Sequence, residues 1–162
     1  MYINKLTVLH KTAKALLRTV MFLVFNNVCA QDVKIVDFMT LEKSFSATND
    51  TTYIVHFFAT WCSPCLKEIP NFIKLDKENK TTKKKVIFVS LDSVKDKHLL
   101  EKLALDQGFT SSIFLLETST SYDWITKINK NWTGALPATL IVNKKRKFIE
   151  GPTDFNKFIT RS

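Results

Sequence analysis

Two cysteines at C-x-x-C spacing, Cys62 and Cys65, are the side chains of this sequence best suited to chemistry. They follow an apolar segment, residues 53–59, whose β-branched and aromatic side chains predict a buried strand. From Pro64 to about Glu78, apolar residues recur at three- and four-residue steps, which predicts a helix that begins at the motif. A helix N-terminus favours an anion and lowers the pKa of a cysteine in this motif. We therefore expect Cys62 to be a reactive thiolate.

The two thiols suit the two halves of a thiol–disulfide exchange. Cys62, at the helix start and partly exposed, would attack a substrate disulfide and form a mixed disulfide. Cys65, one turn further along and buried, would resolve that intermediate. The alternatives are an inert buried pair or a metal site, but a structural zinc usually takes four ligands. After residue 30 the chain adds only His56 and His98 to the two thiols, so we expect a redox pair and no metal.

Residues 1–30 differ in composition from the rest of the chain. They carry four basic side chains and no acidic one, and an apolar stretch at residues 19–25 is followed by Val28-x-Ala30. This pattern is typical of a secretory signal peptide. We predict cleavage before Gln31, which leaves a mature domain at residues 31–162, exported to the periplasm or cell envelope.

Two alternatives remain for the N-terminal segment. A retained membrane anchor would bring membrane contact, although Arg18 interrupts an apolar run that falls well short of the roughly 20 residues that span a bilayer. A lipoprotein attached through Cys29 is a weaker alternative, because Asn26 and Val28 do not suit lipid attachment.

Charge and cysteine content limit the function classes of the mature domain. Loss of residues 1–30 lowers the formal net charge from +9 to about +5, since 20 basic side chains remain against 15 acidic ones. Cys29 is lost as well, and a single C-x-x-C pair closes too short a loop to serve as a disulfide scaffold. The basic run at residues 144–147 lies between two predicted strands, so we interpret it as a hairpin tip and expect no nucleic-acid partner.

Strands and helices alternate along the mature domain. This order predicts βαβ units and a mostly parallel sheet. The last two strands are separated by a short polar segment, which predicts an antiparallel hairpin. The predicted strands are 33–38, 53–59, 86–91, 113–116, 138–142 and 147–150, and the predicted helices are 41–47, 64–78, 94–107, 122–128 and about 154–160.

Two motifs carry a resemblance to a known family. Residues 58–65, Phe-Ala-Thr-Trp-Cys-Ser-Pro-Cys, are followed by Glu68-Ile69-Pro70, and residues 134–139 read Gly-Ala-Leu-Pro-Ala-Thr. From Val33 to Ile159 the chain resembles the thioredoxin superfamily, specifically its exported TlpA/ResA-like thiol–disulfide reductases. The resemblance implies an α/β, thioredoxin-like fold, with a central mixed β-sheet flanked by helices and a TlpA-type strand-helix insertion before the cis-proline.

The same resemblance implies a third catalytic residue, Glu68. It lies three residues after Cys65, so the two side chains can share a helix face. A carboxylate half-buried against the sheet would have a raised pKa and could take the proton from Cys65. His56 stands where thioredoxin has a buried aspartate, six residues before the first cysteine. A core histidine is the more common role for such a residue than a base.

Four further residues are implied to contact the substrate. Pro137 matches the family's cis-proline, and with Leu136 it would leave a backbone edge free to pair with an extended substrate segment. Trp61 would pack beside Cys62 and restrict access to it, or it would fill the core. Pro64 fits the first turn of the helix, where no N–H partner is lost.

The sequence therefore predicts an exported enzyme that reduces disulfides of envelope proteins through a Cys62/Cys65 dithiol–disulfide cycle. It would need no bound cofactor and would take electrons from a thioredoxin-like or membrane donor. An oxidase or isomerase would carry the same motif and differ in the stability of the Cys62 thiolate. A non-catalytic thioredoxin-like binding module or redox sensor is the alternative from another class.

Overall fold

A six-stranded mixed sheet organises the part of the chain that the computed structural model describes, residues 32–46, 49–78, 83–118 and 123–155. The strands are β1 (Val33–Val36), β2 (Thr52–Phe58), β3 (Lys84–Ser90), β4 (Ile113–Leu116), β5 (Ala138–Val142) and β6 (Arg146–Glu150). They lie in the order β1-β4-β3-β2-β5-β6. The first four in this order are parallel, β5 is antiparallel to β2, and β6 is antiparallel to β5. The helices are α1 (Phe38–Phe45), α2 (Ser63–Glu78), a 3-10 turn (Val94–Asp96), α3 (Lys97–Gln107) and α4 (Asp123–Ile128).

Strand β2 lies inside the sheet and is buried along its whole length. Because side chains alternate along a strand, Ile54, His56 and Phe58 face one side of the sheet. On that side Ile54 and Phe58 pack in one apolar core with residues of α2 and α3, while Val55 and Phe57 pack in a second core on the opposite face, with α1 and α4. Because both faces of β2 are packed, the strand holds the cysteine motif that follows it in a fixed position.

The last two strands, β5 and β6, place the C-terminal part of the chain beside β2. Strand β5 pairs with β2, and their register places Thr139 opposite His56. The Leu136–Pro137 peptide bond immediately before β5 is cis, as predicted. The insertion predicted before this proline is also present, since β4 lies between β1 and β3 in the sheet and α4 follows it.

Most predicted elements are confirmed, with shifted ends. Helix α1 begins at Phe38 rather than at Leu41, because the Asp37 side chain accepts a hydrogen bond from Thr40 N at 2.8 Å and caps the helix. The predicted helix 94–107 is divided into the 3-10 turn and α3, and it ends as expected at Gly108, whose φ of 65° is left-handed.

Some expectations fall on residues that the structure does not describe. The proposed signal peptide, residues 1–30, lies outside the described residues, as does most of the predicted last helix, since the description ends at Phe155. Within the described ranges, no helix combines the length and the apolar character needed to cross a membrane.

Candidate active site

The two cysteines form a disulfide at the N-terminus of α2, with their Cα atoms 5.2 Å apart. Cys65 N–H donates to Cys62 Sγ at 3.3 Å, so the helix terminus directs a backbone donor at the first sulfur. Cys65 is fully buried, as predicted, and Cys62 is 5% exposed, which is less than we expected. The geometry favours negative charge on Cys62 when the pair is reduced.

The loop that joins β2 to this helix is held by Asp92, just beyond the end of β3. One carboxylate oxygen accepts from the Thr60 hydroxyl at 2.7 Å, and both oxygens lie within 3.1 Å of Thr60 N. The Ser90 hydroxyl donates to Asp92 at 2.6 Å. Because β2 and β3 are parallel neighbours, their carboxyl ends meet here, and the carboxylate fixes the residue two positions before Cys62.

Glu68 lies one helical turn beyond Cys65 and is 7% exposed. Burial raises the pKa of its carboxyl group, while a hydrogen bond donated by Thr153 N to Glu68 Oε1 opposes that rise. Its Oε2 atom has no hydrogen-bond partner within the described part of the chain. Its burial agrees with the environment expected for Glu68, and the raised pKa means that the carboxylate binds a proton more readily than that of an ordinary glutamate.

His56 is a core histidine, fully buried on β2. Its Nδ1 lies 3.1 Å from Thr139 Oγ1, and its ring stacks on Phe72 of α2 with 4.0 Å between ring centroids. Burial lowers the pKa of His56 to about 3, so the imidazole is neutral at physiological pH. The ring does not reach the surface and carries no charge that could attract a substrate.

The loop before the cis-proline is tethered by Glu150 at the end of β6. Its Oε1 accepts hydrogen bonds from the Thr133 hydroxyl, from Thr133 N at 3.1 Å and from Ala135 N at 3.2 Å. Gly151 N–H donates to the carbonyl of Pro137 at 2.8 Å. Leu136, which this loop carries, packs against the apolar core that contains both cysteines.

The remaining predicted substrate residues lie at the surface of the motif. Trp61 is 71% exposed, so it does not fill the core, and it lines an open groove with Thr60, Asp92 and Leu99. Pro64 is exposed on the first turn of α2. Contact of these residues with a substrate stays a prediction. No three His, Cys, Asp or Glu side chains in the described ranges are grouped so that they could hold a metal ion.

Sequence comparison assigns this site to a family. Residues 27–150 match the AhpC/TSA family. Over 82 residues the chain is 40% identical to a protein named thioredoxin from Echinococcus granulosus, and the match covers 51% of this chain and 71% of that one. The chain belongs to the AhpC/TSA family, within the thioredoxin superfamily. With its Cys62–Cys65 disulfide, it is a thiol–disulfide oxidoreductase.

Solved structures agree with the fold of this oxidoreductase. A thioredoxin-family thiol:disulfide interchange protein from Chlorobium tepidum TLS superposes with a TM-score of 0.56 at 22% identity, covering 74% of this chain and 82% of that chain. A secreted disulfide oxidoreductase from Mycobacterium tuberculosis superposes with a TM-score of 0.51 at 16% identity, covering 68% and 75%. At these identities the likeness establishes the thioredoxin-like fold alone.

Sequence reasoning missed three groups that shape the site of this oxidoreductase. Asp92 anchors Thr60 through its carboxylate. The backbone N–H of Thr153 donates to Glu68. Glu150 was part of a predicted strand with no further role. Only Asp92 had a usable signal, because a carboxylate at the end of a buried parallel strand lies beside the end of the neighbouring strand.

Proposed function

We propose that this oxidoreductase is exported and reduces disulfides of envelope proteins through a Cys62/Cys65 dithiol–disulfide cycle. The observation that carries the proposal is the buried Glu68 one turn beyond Cys65, with its pKa raised by burial. A proton acceptor behind the buried thiol serves the step in which Cys65 attacks, and Cys65 attacks when the protein delivers electrons to a substrate.

The cycle begins with both cysteines reduced. Cys62 thiolate attacks one sulfur of the substrate disulfide, the Cys62–substrate S–S bond forms, and the other substrate sulfur leaves as a thiolate. Cys65 then gives its proton to Glu68 and attacks Cys62 Sγ. The second substrate thiolate leaves, the Cys62–Cys65 disulfide of the present structure forms, and two electrons have passed to the substrate.

A dithiol on a thioredoxin-like or membrane donor would return the two electrons. One donor thiolate attacks Cys62 Sγ and forms a donor–Cys62 disulfide, Cys65 leaves as a thiolate, and Glu68 returns the proton to it. The second donor thiolate then attacks the donor sulfur of this mixed disulfide, Cys62 leaves as a thiolate, and the donor ends as its own disulfide. No bound cofactor takes part in this cycle.

Export is supported by the composition of residues 1–30 and by the secreted Mycobacterium tuberculosis oxidoreductase of the same fold. Expression of the full chain in a bacterial host, with separation of cytoplasm from envelope and mass measurement of the product, tests this part. A mature N-terminus at Gln31 in the envelope fraction is the expected result, and an uncleaved chain in the cytoplasm would contradict export.

The reduction potential of the Cys62–Cys65 pair tests the proposed direction. We expect a value near about −270 mV, that of thioredoxin, when the protein is equilibrated with dithiothreitol or glutathione buffers. A value near about −120 mV would make the protein a disulfide donor and overturn the proposed reduction.

Variants of the two cysteines provide the matched test of mechanism. Cys65→Ser should accumulate mixed disulfides with substrate proteins, because the thiol that resolves them is absent, and Cys62→Ser should form none. Cys29→Ser is the control and should reduce disulfide-bonded insulin like the unchanged chain. Equal trapping by both site variants would contradict the assignment of Cys62 as the attacking thiol.

A further inference from the structure

A path of hydrogen-bonding groups crosses the core from His56 on β2 to Glu68. His56 Nδ1 lies 3.1 Å from the hydroxyl of its register partner Thr139, which lies 3.4 Å from the hydroxyl of Thr153. The backbone N–H of Thr153 then donates to Glu68 Oε1. All four residues are buried. Two strands, the segment after β6 and the active-site helix therefore meet along one polar path.

The protonation state of the His56 ring determines which groups donate and which accept the hydrogen bonds along this path. Burial keeps the imidazole neutral, so one ring nitrogen carries a proton and the other does not. Nε2 has no partner among the described residues, and the ring stacks on Phe72. Because a buried N–H without an acceptor is the costlier arrangement, the proton lies on Nδ1 and is donated to Thr139. The Thr139 hydroxyl is then free to donate to Thr153.

We propose that His56 is a positioning residue that acts through Thr139 and Thr153 to set the pH at which Glu68 accepts the proton of Cys65. The path holds the Thr153 segment so that its N–H stays against the Glu68 carboxylate. This inference rests on the proposed function, in which Glu68 serves Cys65. His56 itself exchanges no proton: the proton moves from Cys65 Sγ to Glu68, and the Cys65 thiolate forms the bond to Cys62.

Among the described residues, the shift in the pKa of Glu68 has two causes, burial and this hydrogen bond. On its own helix the neighbouring Lys67 is exposed, and in the segment after β6 Asp154 is exposed beside Thr153. Strand β5 has no titratable side chain, and β2 contributes only His56 and Tyr53, whose side chains point to opposite faces of the sheet. The Thr153 N–H stabilises the carboxylate form, so loosening it raises the pKa of Glu68 further.

The ionisation of Glu68 can be followed directly by ¹³C NMR of glutamate carboxyl groups in the full-length protein, with Glu68→Gln assigning the signal. Thr139→Val removes a hydroxyl and His56→Phe removes the ring nitrogens, and both keep most of the side-chain volume. We expect each to raise the midpoint of Glu68 by about 0.5–1 pH unit, the size of one hydrogen bond. The pH profile of insulin reduction should shift by the same amount.

Thr52→Val is the matched control, because Thr52 is a buried threonine of the neighbouring strand β2 whose hydroxyl accepts from Asn143 Nδ2 instead. It should leave the Glu68 midpoint unchanged. An unchanged midpoint in both Thr139→Val and His56→Phe, or an equal shift in Thr52→Val, would overturn the inference. If one path variant does not fold, the other still decides. A full-length protein that reduces no disulfide would refute the proposed function, while the Glu68 titration would still decide the role of His56.

Discussion

Burial acts in opposite directions on the two ionisable side chains behind the disulfide. It raises the pKa of Glu68 above 4.5, because the carboxylate is the charged form, and lowers the pKa of His56 to about 3, because the imidazolium is the charged form. Both shifts disfavour charge in the same apolar region. The result is an imidazole that is neutral at physiological pH and a carboxyl group whose proton is held more tightly than that of an ordinary glutamate.

The burial of His56 predicts acid sensitivity of the fold. In the unfolded chain His56 titrates near 6.5 and in the folded chain near 3, so the unfolded state binds more protons between these values. Stability should therefore fall as the pH drops from about 6.5 towards about 3, by at most about 1.4 kcal/mol per pH unit. Urea unfolding across this range should show a flatter dependence in His56→Phe.

Glu68 contributes to the same measurement with the opposite sign. Its folded pKa is raised, so its contribution is fully present below its unfolded pKa of 4.5 and is lost as the pH rises through the folded pKa. The histidine effect is therefore cleanest below about pH 4.5, where the contribution of Glu68 no longer changes. The exposed His98 offers the control, since His98→Gln should keep the acid slope of the unchanged chain. Parallel slopes in His56→Phe and the unchanged chain would contradict the prediction.

At the scale of elements, the position of α2, which begins at the cysteine motif, depends on the end of β3, although β2 is the strand that leads into the motif. Asp92 follows β3, and its carboxylate is bound by neutral N–H and O–H groups of Thr60 and Ser90. These bonds fix the loop that presents Trp61 and Cys62. The sheet thus positions the motif through two adjacent strands rather than through β2 alone.

Replacement of Asp92 by asparagine should weaken both the fold and the activity. In the variant, an amide NH2 would face the N–H and O–H groups of Thr60 and Ser90, from which the carboxylate now accepts hydrogen bonds. Buried donors would then lack an acceptor, which costs about 1–3 kcal/mol. We expect slower insulin reduction at a given concentration, because Thr60 and the adjacent motif lose their anchor. Asp96→Asn, at an exposed carboxylate of the same segment, should stay within about 0.5 kcal/mol. Equal effects of the two substitutions would refute the anchoring role.

The sequence-based predictions are limited by how far apart in the sequence the interacting residues lie. Periodicity near Cys62 correctly predicted β2 and α2, because both patterns are local. The start of α1 was missed because Asp37 serves as a cap rather than as the end of a strand. The bond from Thr153 to Glu68 joins residues 85 positions apart, and no local pattern indicates such a pair.

At the scale of the whole molecule, the disulfide should contribute modestly to stability. The loop it closes has a sequence separation of only 3, so in the chain-entropy description it restricts the unfolded state by about 2 kcal/mol or less. We expect the oxidised protein to exceed the reduced protein in unfolding free energy by no more than this, as measured by urea unfolding with and without dithiothreitol. The Cys62→Ser, Cys65→Ser double variant should not respond to dithiothreitol.

A much larger difference between the two forms would mean that reduction loosens packing around α2 as well as breaking one covalent bond. A more stable reduced form would contradict the prediction outright. The second core argues against a large difference, since it lies on the opposite face of the sheet and contains neither cysteine.

The pairing of β5 with β2 also has a consequence for the order of assembly during synthesis. His56 meets a partner 83 residues later, and Glu68 meets one 85 residues later. A growing chain therefore releases Cys62 and Cys65 long before the cis-proline loop and the Thr153 N–H exist to complete the site. During that interval the thiols are accessible to any oxidant. They acquire the complete site only once the β5–β6 hairpin has joined the sheet.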